Sequence, residues 1–297
     1  MAGLPLLVVL AVLAAAGASL AVQVVRGRVR SADLPLPVAA ARARGTRWSA
    51  AALLAGLGAV GALVALALAR RSETLVLLAP LTGAGVHAVT ALLGELTWPR
   101  PGGRVRSARL VARSIRASAP PALLGTALAT GLLVLAACVA GTLLAGAGAQ
   151  TWTWRTANYA AGSQVPGGAV ALPLLAAWAL TAVATAAVLH RMPVRPAVPC
   201  APPAVDAALR RTGAHRVLRV STSALLGTAG VLLVRWSHFA TTWRSTADVL
   251  TGEITDGPLA ALAGPVVTAG LLLVLAGAVV LLLPARGLRS APRAVAA

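Results

Sequence analysis

Long uncharged runs alternate with short polar gaps along this 297-residue chain. Seven runs contain no Asp, Glu, Lys or Arg, and most reach the roughly 20 apolar residues that a helix needs to cross a bilayer. The runs cover residues 1–25, 48–69, 74–94, 117–154, 156–189, 220–234 and 257–285. This pattern predicts an all-α polytopic transmembrane bundle, with residues 1–297 forming a single integral membrane domain.

Seven spans follow when the ends of the runs are adjusted to nearby charged residues. Their approximate limits are 3–25, 49–69, 74–96, 119–147, 168–189, 220–243 and 258–284. The sixth span has the weakest pattern, because its run stops at Arg235 and contains Ser221, Thr222 and Ser223. A full membrane width requires the helix to continue to residue 243, with Arg235 extending outward to the membrane surface.

Arginine is distributed unequally between the gaps. Of the 26 basic residues, all of them arginine, 21 lie in every second gap or in the tail. Cytoplasmic loops of membrane proteins carry an excess of Lys and Arg, so these gaps are predicted to face the cytoplasm. The N-terminus is then outside and the C-terminus inside a bacterial cytoplasmic (inner) membrane. Without the sixth span, the acidic gap 248–256 would lie inside, against the same rule.

The formal charge of +19 accompanies a mean hydropathy of +0.84 and only 11% charged residues. A soluble domain has about 25% charged residues, so this composition indicates a membrane protein. The arginines lie beside apolar runs and are not interleaved with aromatic residues on a soluble fold, so nucleic-acid binding is not predicted. The expected partners are membrane lipids of the anionic leaflet and, as a further option, a protein in the membrane.

Residues 104–116 form the clearest basic segment outside the predicted spans. Arginines recur there at helical spacing, and an apolar residue precedes most of them. Adjacent basic and apolar stripes are typical of a helix lying on a membrane surface, where each arginine near an anionic leaflet contributes about 1 kcal/mol. A solvated linker is the alternative interpretation. The candidate anionic-lipid face consists of Arg104, Arg106, Arg109, Arg113 and Arg116.

His87 is the one ionisable residue near the middle of a predicted span. Such residues usually face the bundle interior or a water-filled path. The imidazole could serve as a proton relay or bind a ligand; alternatively it is structural and bonded to a neighbouring helix, since no carboxylate is evident at its depth. Glu95, two turns further along, is expected to pair with Arg100 or Arg104. His87 and Glu95 are therefore the candidate intramembrane polar site.

Enzyme motifs are absent from the sequence. It contains no H-E-x-x-H, no G-x-S-x-G and no P-loop. Its seven acidic residues are scattered, although metal-dependent lipid chemistry needs several carboxylates together. Cys138, inside a span, and Cys200, in a cytoplasmic gap, match neither a disulfide nor a metal-site spacing. No catalytic residue, cofactor or metal is predicted, and a non-enzymatic protein is favoured.

Two functional classes remain after these exclusions. The first is an envelope accessory or scaffold protein that uses its arginine-rich face to engage anionic lipid or a cytoplasmic partner. The second is a small permease or channel-like transporter that uses His87 and a proline-kinked bundle, with Pro80, Pro173 and Pro265 in the three returning spans. A solute pathway usually leaves more polar residues inside the spans, which favours the scaffold. A wet cavity lined by His87 would instead favour the transporter.

Two stretches carry a family resemblance. The residues from Gly94 to Pro101 read G-E-L-T-W-P-R-P, and those from Val105 to Ala108 read V-R-S-A. This order resembles a pattern in multi-spanning membrane proteins of actinobacteria: G-E-L-T, a proline-containing break, then V-R-x-A leading into a basic segment. The stretch Asp206–Arg211 is similar to a second basic block in some of them. The resemblance implies a bacterial inner-membrane location and no particular activity.

Overall fold

The computed structural model describes residues 35–99, 115–155, 160–198, 201–242 and 260–283. Six of its helices are long and apolar enough to cross a membrane. They are α1 (Leu36–Arg70), α2 (Glu73–Leu96), α4 (Pro121–Ala145), α5 (Gly168–Val194), α6 (Pro203–Thr242) and α7 (Ala260–Leu282), and a short α3 (Ile115–Ser118) precedes α4. The predicted helical, membrane-type fold is confirmed at this level. The predicted span 3–25 lies outside the described residues.

A β-hairpin connects α4 to α5. Its strands, β1 (Thr151–Arg155) and β2 (Ala160–Pro166), pair antiparallel with Trp152 opposite Ser163. The turn between α1 and α2 immediately precedes α2, and the hairpin immediately precedes α5. Because α2 and α5 run in the same direction, the turn and the hairpin lie at the same end of the bundle. We call this the hairpin end, and the opposite end, where the arginines collect, the arginine end.

The long helices α1 and α2 pack as one antiparallel pair, and α6 and α7 as another, whereas α4 packs mainly on α6 and α5 mainly on α2. Helix α6 is central, since most of its apolar segment is buried, whereas less than half of the corresponding segment is buried in the other five. This position explains the low hydropathy of the sixth predicted span. Ser221, Thr222 and Ser223 are buried against protein, and the hydroxyls of Thr185 and Ser221 lie 2.8 Å apart.

The outer surface of the bundle is apolar. On α4, Leu128, Leu132 and Leu143 are exposed, and on α7 the same holds for Leu272 and Leu275. In water such continuous apolar faces would be unfavourable, whereas lipid chains can cover them. The exposed leucines therefore agree with the six candidate spans.

Two helices extend well beyond their predicted spans at the arginine end. Helix α1 begins at Leu36, with Pro35 as its N-cap residue and Pro37 in its first turn. Backbone N–H groups in the first turn have no partner within the helix, so the missing N–H of proline costs no helical hydrogen bond there. Helix α6 begins at Pro203 and continues through Gly213 without a break. The described parts of the basic gaps next to these spans are thus largely helical.

Glycines bring the paired helices into backbone contact. A Cβ added to Gly83 on α2 would lie 3.0 Å from the carbonyl oxygen of Gly56 on α1. In the same way, a Cβ on Gly270 of α7 would lie 2.6 Å from the carbonyl oxygen of Gly230 on α6. Close approach of this kind replaces side-chain interdigitation at these points in the membrane helices.

Candidate functional site

A cavity of about 70 Å³ lies between α1, α2 and α6, with one residue of α7 at its side. Toward the hairpin end it is bounded by Val76 and Val231, and toward the arginine end by His87 and Val220. Val76 and His87 are eleven positions apart on α2, so the cavity extends about 16 Å along the helix. The volume is sufficient for several water molecules, each of which needs about 10–15 Å³ of such space.

His87 contributes the only aromatic ring among the cavity-lining residues of the described chain. Its side chain is 2% exposed, and its Nδ1 has no hydrogen-bond partner among the described residues. The backbone of α1 approaches closely here, because a Cβ on Gly56 would lie 3.2 Å from the His87 Cβ. A structural histidine bonded to a neighbouring helix through Nδ1 is therefore not what is observed. A buried nitrogen without a partner calls for a specific explanation, and a ligand or water bound in the neighbouring cavity is one such explanation.

Two hydroxyl residues on α6, Ser223 and Thr228, also line the cavity. Thr228 is 2% exposed, and its Oγ1 has no hydrogen-bond partner among the described residues. Other buried threonines in the bundle are bonded: Thr181, for example, donates to the carbonyl of Leu81 at 2.8 Å. Thr228 is thus a site residue that the sequence analysis missed. The sequence showed only a hydroxyl residue within a predicted span. Such residues are common in helices, where the hydroxyl usually donates to the backbone of the same helix.

Pro80 removes one helical hydrogen-bond donor from α2 beside the cavity. Proline has no N–H, so it cannot donate to the carbonyl of Val76, four residues earlier on α2. Both residues line the cavity toward its hairpin end. The sequence predicted a proline inside this helix, and the structure shows that the proline lies at the cavity wall.

Side chains of two further contacts lie at the ends of the cavity. Toward the arginine end, Leu281 of α7 is buried against Leu57 and Val220. Toward the hairpin end, Glu73 and Arg235 form an ion pair one helical turn beyond Val76 and Val231, respectively. Arg235 is 7% exposed and pairs with Glu73, whose side chain is 60% exposed, so its guanidinium is directed toward the hairpin end. Its predicted extension to the membrane surface stays a prediction. The pairing partner lies on another helix, which sequence spacing does not reveal.

Glu95, the second predicted polar-site residue, lies away from the cavity. It forms an ion pair with Arg195 at 3.3 Å, and Arg195 stacks 4.0 Å above the Trp98 ring. The expected partners, Arg100 and Arg104, lie outside the described residues. The structure therefore does not bring His87 and Glu95 into one site, and it assigns Glu95 to helix connection at the arginine end.

Arginines connect the helices at the arginine end. Arg210 on α6 is buried, donates to Asp206 at 2.9 Å, and donates to the carbonyls of Met192 and Arg195 at 2.7 and 3.0 Å. Other arginines also donate to carbonyls of neighbouring helices or their ends. These bonds are Arg44 to Thr97, Arg216 to Gly45 and Arg219 to Leu283.

The candidate anionic-lipid face falls mainly outside the described residues. Positions 104–114 are not described, and Arg116 belongs to the short helix α3, without a described side chain. The predicted surface helix at 104–116 and its lipid contacts therefore stay predictions.

The cavity offers binding groups but no acid–base pair. Its polar side chains in the described part of the chain are His87, Ser223 and Thr228, and no carboxylate lines it. Among the described residues, no three His, Cys, Asp or Glu side chains come together as metal ligands. The arrangement can hydrogen-bond a ligand inside an otherwise apolar wall.

The two stretches on which the sequence resemblance rests begin at Gly94 and Asp206. Their described parts lie at the end of α2 and the start of α6, where Glu95–Arg195 and Asp206–Arg210 are ion pairs. Comparison of the chain with protein-family models, with curated proteins and with solved structures found no match.

Proposed function

We propose that this protein is a small permease or channel-like transporter whose substrate site is the cavity beside His87. The observation that supports this choice is a cavity lined by His87 and Thr228, whose Nδ1 and Oγ1 atoms have no partner among the described residues. A scaffold gains nothing from leaving such groups unsatisfied, since each costs about 1–3 kcal/mol. A binding site gains a ligand contact from each of them.

The cavity also has the shape of a restricted path. It follows the helix axes for about three turns, with Leu57 and Leu281 at one end and the Glu73–Arg235 ion pair beyond the other. Alternating access needs a site near the middle of the bundle with closures on both sides. The Glu73–Arg235 pair would serve as the closure at the hairpin end, and Leu57 with Leu281 as the closure at the arginine end.

We further propose seven spans in a bacterial cytoplasmic membrane, with the N-terminus outside and the C-terminus inside. The arginine distribution supports this orientation, because Arg191, Arg195, Arg210 and Arg219 all lie at one end of the described bundle. In a background with Cys138→Ala and Cys200→Ala, a membrane-impermeant maleimide should label Ser72→Cys on intact cells. It should label His190→Cys only after permeabilisation. The reverse result would invert the topology.

Water access to the cavity tests the transporter proposal. In the same background, we expect Thr228→Cys to react with a small water-soluble thiosulfonate much faster than Thr222→Cys. Thr222 is on the same helix and 0% exposed, but it does not line the cavity. The expected ratio is about tenfold or more, because even a local opening that costs about 1.4 kcal/mol slows the control tenfold.

Equal, slow reaction of the two cysteines would contradict a water-accessible site and favour the accessory or scaffold hypothesis. Thermal unfolding of both variants in detergent provides the folding control. Fast reaction of both cysteines together with a lowered melting temperature would indicate a loosened bundle, and that result would also count against the proposal.

A further inference from the structure

We propose that Arg191 and Arg195, at the end of α5, bind the phosphate group of an anionic membrane phospholipid. The inference concerns the arginine end of the bundle and is independent of the transport function proposed for the cavity. Three features support it: buried guanidinium nitrogens without a partner, a shortage of carboxylates that could reach them, and a depth that matches the lipid phosphates.

One edge of the Arg195 guanidinium group has no partner. Its Nη1 donates to both carboxylate oxygens of Glu95 at 3.3 Å, and its Cζ lies 4.0 Å from the centre of the Trp98 ring. Its Nε and Nη2 have no hydrogen-bond partner among the described residues, although Arg195 is only 4% exposed. The N–H bonds of these two nitrogens are parallel and form the fork that holds two oxygens of a carboxylate or a phosphate.

Arg191 places a second guanidinium group on the same side of α5. It precedes Arg195 by four positions, so the two side chains are neighbours on the helix surface. The N–H of Arg195 donates to the carbonyl of Arg191 at 3.1 Å, so the helical turn extends to Arg195. Arg191 is half-buried, and its buried Nε also has no partner in the described part of the chain. An oxyanion held by Arg195 would therefore have a second cation beside it.

The carbonyl groups at the end of α5 are occupied by another cation. Arg210 of α6 donates to the carbonyls of Met192, Pro193 and Arg195, which compensates the negative end of the α5 dipole. Arg210 is in turn paired with Asp206 at 2.9 Å. An anion at the fork of Arg195 therefore does not face unpaired carbonyl oxygens at these positions.

The charges in this group leave room for one anion. Arg191, Arg195 and Arg210 carry three positive charges, whereas Glu95 and Asp206 carry two negative charges. The remaining positive charge matches the single negative charge of a phosphodiester. A phospholipid phosphate would therefore make the group electrically neutral.

Few carboxylates of the chain could take this place instead. Of its seven acidic residues, only Asp33 belongs to an undescribed segment next to the arginine end, because residues 100–114, 199–200 and 284–297 contain none. The other undescribed acids lie within 248–256, between the hairpin ends of α6 and α7. Glu253, seven residues before α7, reaches at most about 25 Å along a helix about 34 Å long. Asp33 is thus the one competing side chain.

The depth of the two arginines fits a lipid phosphate. The predicted fifth span ends at residue 189, and a rise of 1.5 Å per residue puts Arg191 and Arg195 about 3 and 9 Å beyond it. The headgroup region extends about 5–7 Å beyond the hydrocarbon core on each side, which lies between these two depths. Trp98, stacked on Arg195, is a residue type typical of this interface. The phospholipids of the surrounding leaflet therefore supply phosphate groups at the level of the fork.

Arg195→Lys tests the fork without removing the charge. Lysine keeps a cation opposite Glu95 but has no pair of parallel N–H groups. The experiment uses the full chain, purified in a neutral detergent and stripped of lipid, and native mass spectrometry measures the dissociation constants of three probes. The probes are dioleoyl phosphatidylglycerol, dioleoylglycerol and inorganic phosphate. We expect saturable binding of phosphatidylglycerol, weakened about tenfold by Arg195→Lys.

Two controls separate the fork from charge and from acyl-chain contacts. Arg211→Lys makes the same change at an exposed arginine of the arginine end and should leave the dissociation constant within about twofold of the unmodified protein. Dioleoylglycerol has the same chains without a phosphate, so its binding should not respond to Arg195→Lys. Arg191→Gln, which leaves the Glu95–Arg195 pair in place, should weaken phosphatidylglycerol by a smaller factor than Arg195→Lys.

Each possible result decides the proposal. Equal affinity of phosphatidylglycerol for the unmodified protein and Arg195→Lys would overturn it. Inorganic phosphate that competes with phosphatidylglycerol and is weakened equally by Arg195→Lys would identify free phosphate as the ligand and overturn the lipid source. Asp33→Asn should leave the affinity unchanged, and tighter binding would show that Asp33 already occupies the fork, which would also overturn the proposal. If Arg195→Lys lowers the melting temperature, Arg191→Gln decides, and its unchanged affinity would count against the site.

Discussion

Arg210→Met is expected to lower the free energy of unfolding by about 3–5 kcal/mol, the typical cost of removing one partner of a buried ion pair. Arg210 is 6% exposed and Asp206 is 9% exposed, so little water can replace the lost bond. The substitution also removes donors from the carbonyls of Met192 and Arg195 at the end of α5. Thermal unfolding in detergent, followed by the fraction of monodisperse protein, measures the loss.

The controls for this prediction separate charge from carbonyl bonding. Arg211→Met changes the exposed neighbour and should cost much less. Adding Asp206→Leu to Arg210→Met removes the unpaired carboxylate and should recover part of the lost stability, while the α5 carbonyls stay without this donor. A full recovery would assign the whole effect to the buried charge. Wild-type stability of Arg210→Met alone would contradict the role of Arg210 in joining α5 to α6.

The helices were predictable because lipid imposes a simple rule on the sequence. A span must satisfy its backbone internally and present apolar side chains outward, which gives long uncharged runs such as 119–147, close to the observed α4. The sixth span was the hardest to predict for a physical reason. Helix α6 faces protein on nearly all sides, so its buried Ser221 and Thr222 lower its hydropathy without exposing a polar group to lipid.

The site was predictable only in part. His87 was evident, because an imidazole in an apolar run is costly unless something surrounds it. Thr228 and Ser223 gave no comparable signal, since their bonding depends on which helix lies opposite. The same holds for the Glu95–Arg195 and Glu73–Arg235 pairs, whose members are separated by 100 and 162 positions. Arginine spacing indicates a side of the membrane, whereas the choice of partner is set by tertiary packing.

The arginine end and the cavity place different demands on the bundle. Arg44, Arg210 and Arg216 donate to backbone carbonyls on other helices or their ends, which fixes α1, α2, α5 and α6 relative to one another. Toward the hairpin end, the α1–α2 and α6–α7 pairs are instead joined across the cavity by Glu73 and Arg235. Under the proposed transport function, motion that opens the cavity is therefore expected at the hairpin end, with the arginine end as the fixed part.

Gly270→Leu is expected to destabilise the α6–α7 pair by about 3 kcal/mol, the upper part of the usual range for overpacking. A Cβ at this position would lie 2.6 Å from the carbonyl oxygen of Gly230, and backbone atoms cannot move aside as a flexible side chain can. The helices must therefore separate locally, which exposes the buried residues of α6 around the contact. A lower melting temperature in detergent and a broadened elution profile would record this separation.

Gly264→Leu supplies the comparison on the same helix. Gly264 is exposed, and a Cβ there meets nothing within 4 Å, so leucine should be tolerated and gain up to about 1 kcal/mol of helix propensity. The two substitutions add the same side chain to α7 at positions less than two turns apart, and they differ in whether that side chain meets α6. If both lowered stability equally, the cost would come from leucine in α7 as such, and the backbone contact between Gly230 and Gly270 would not hold the pair together.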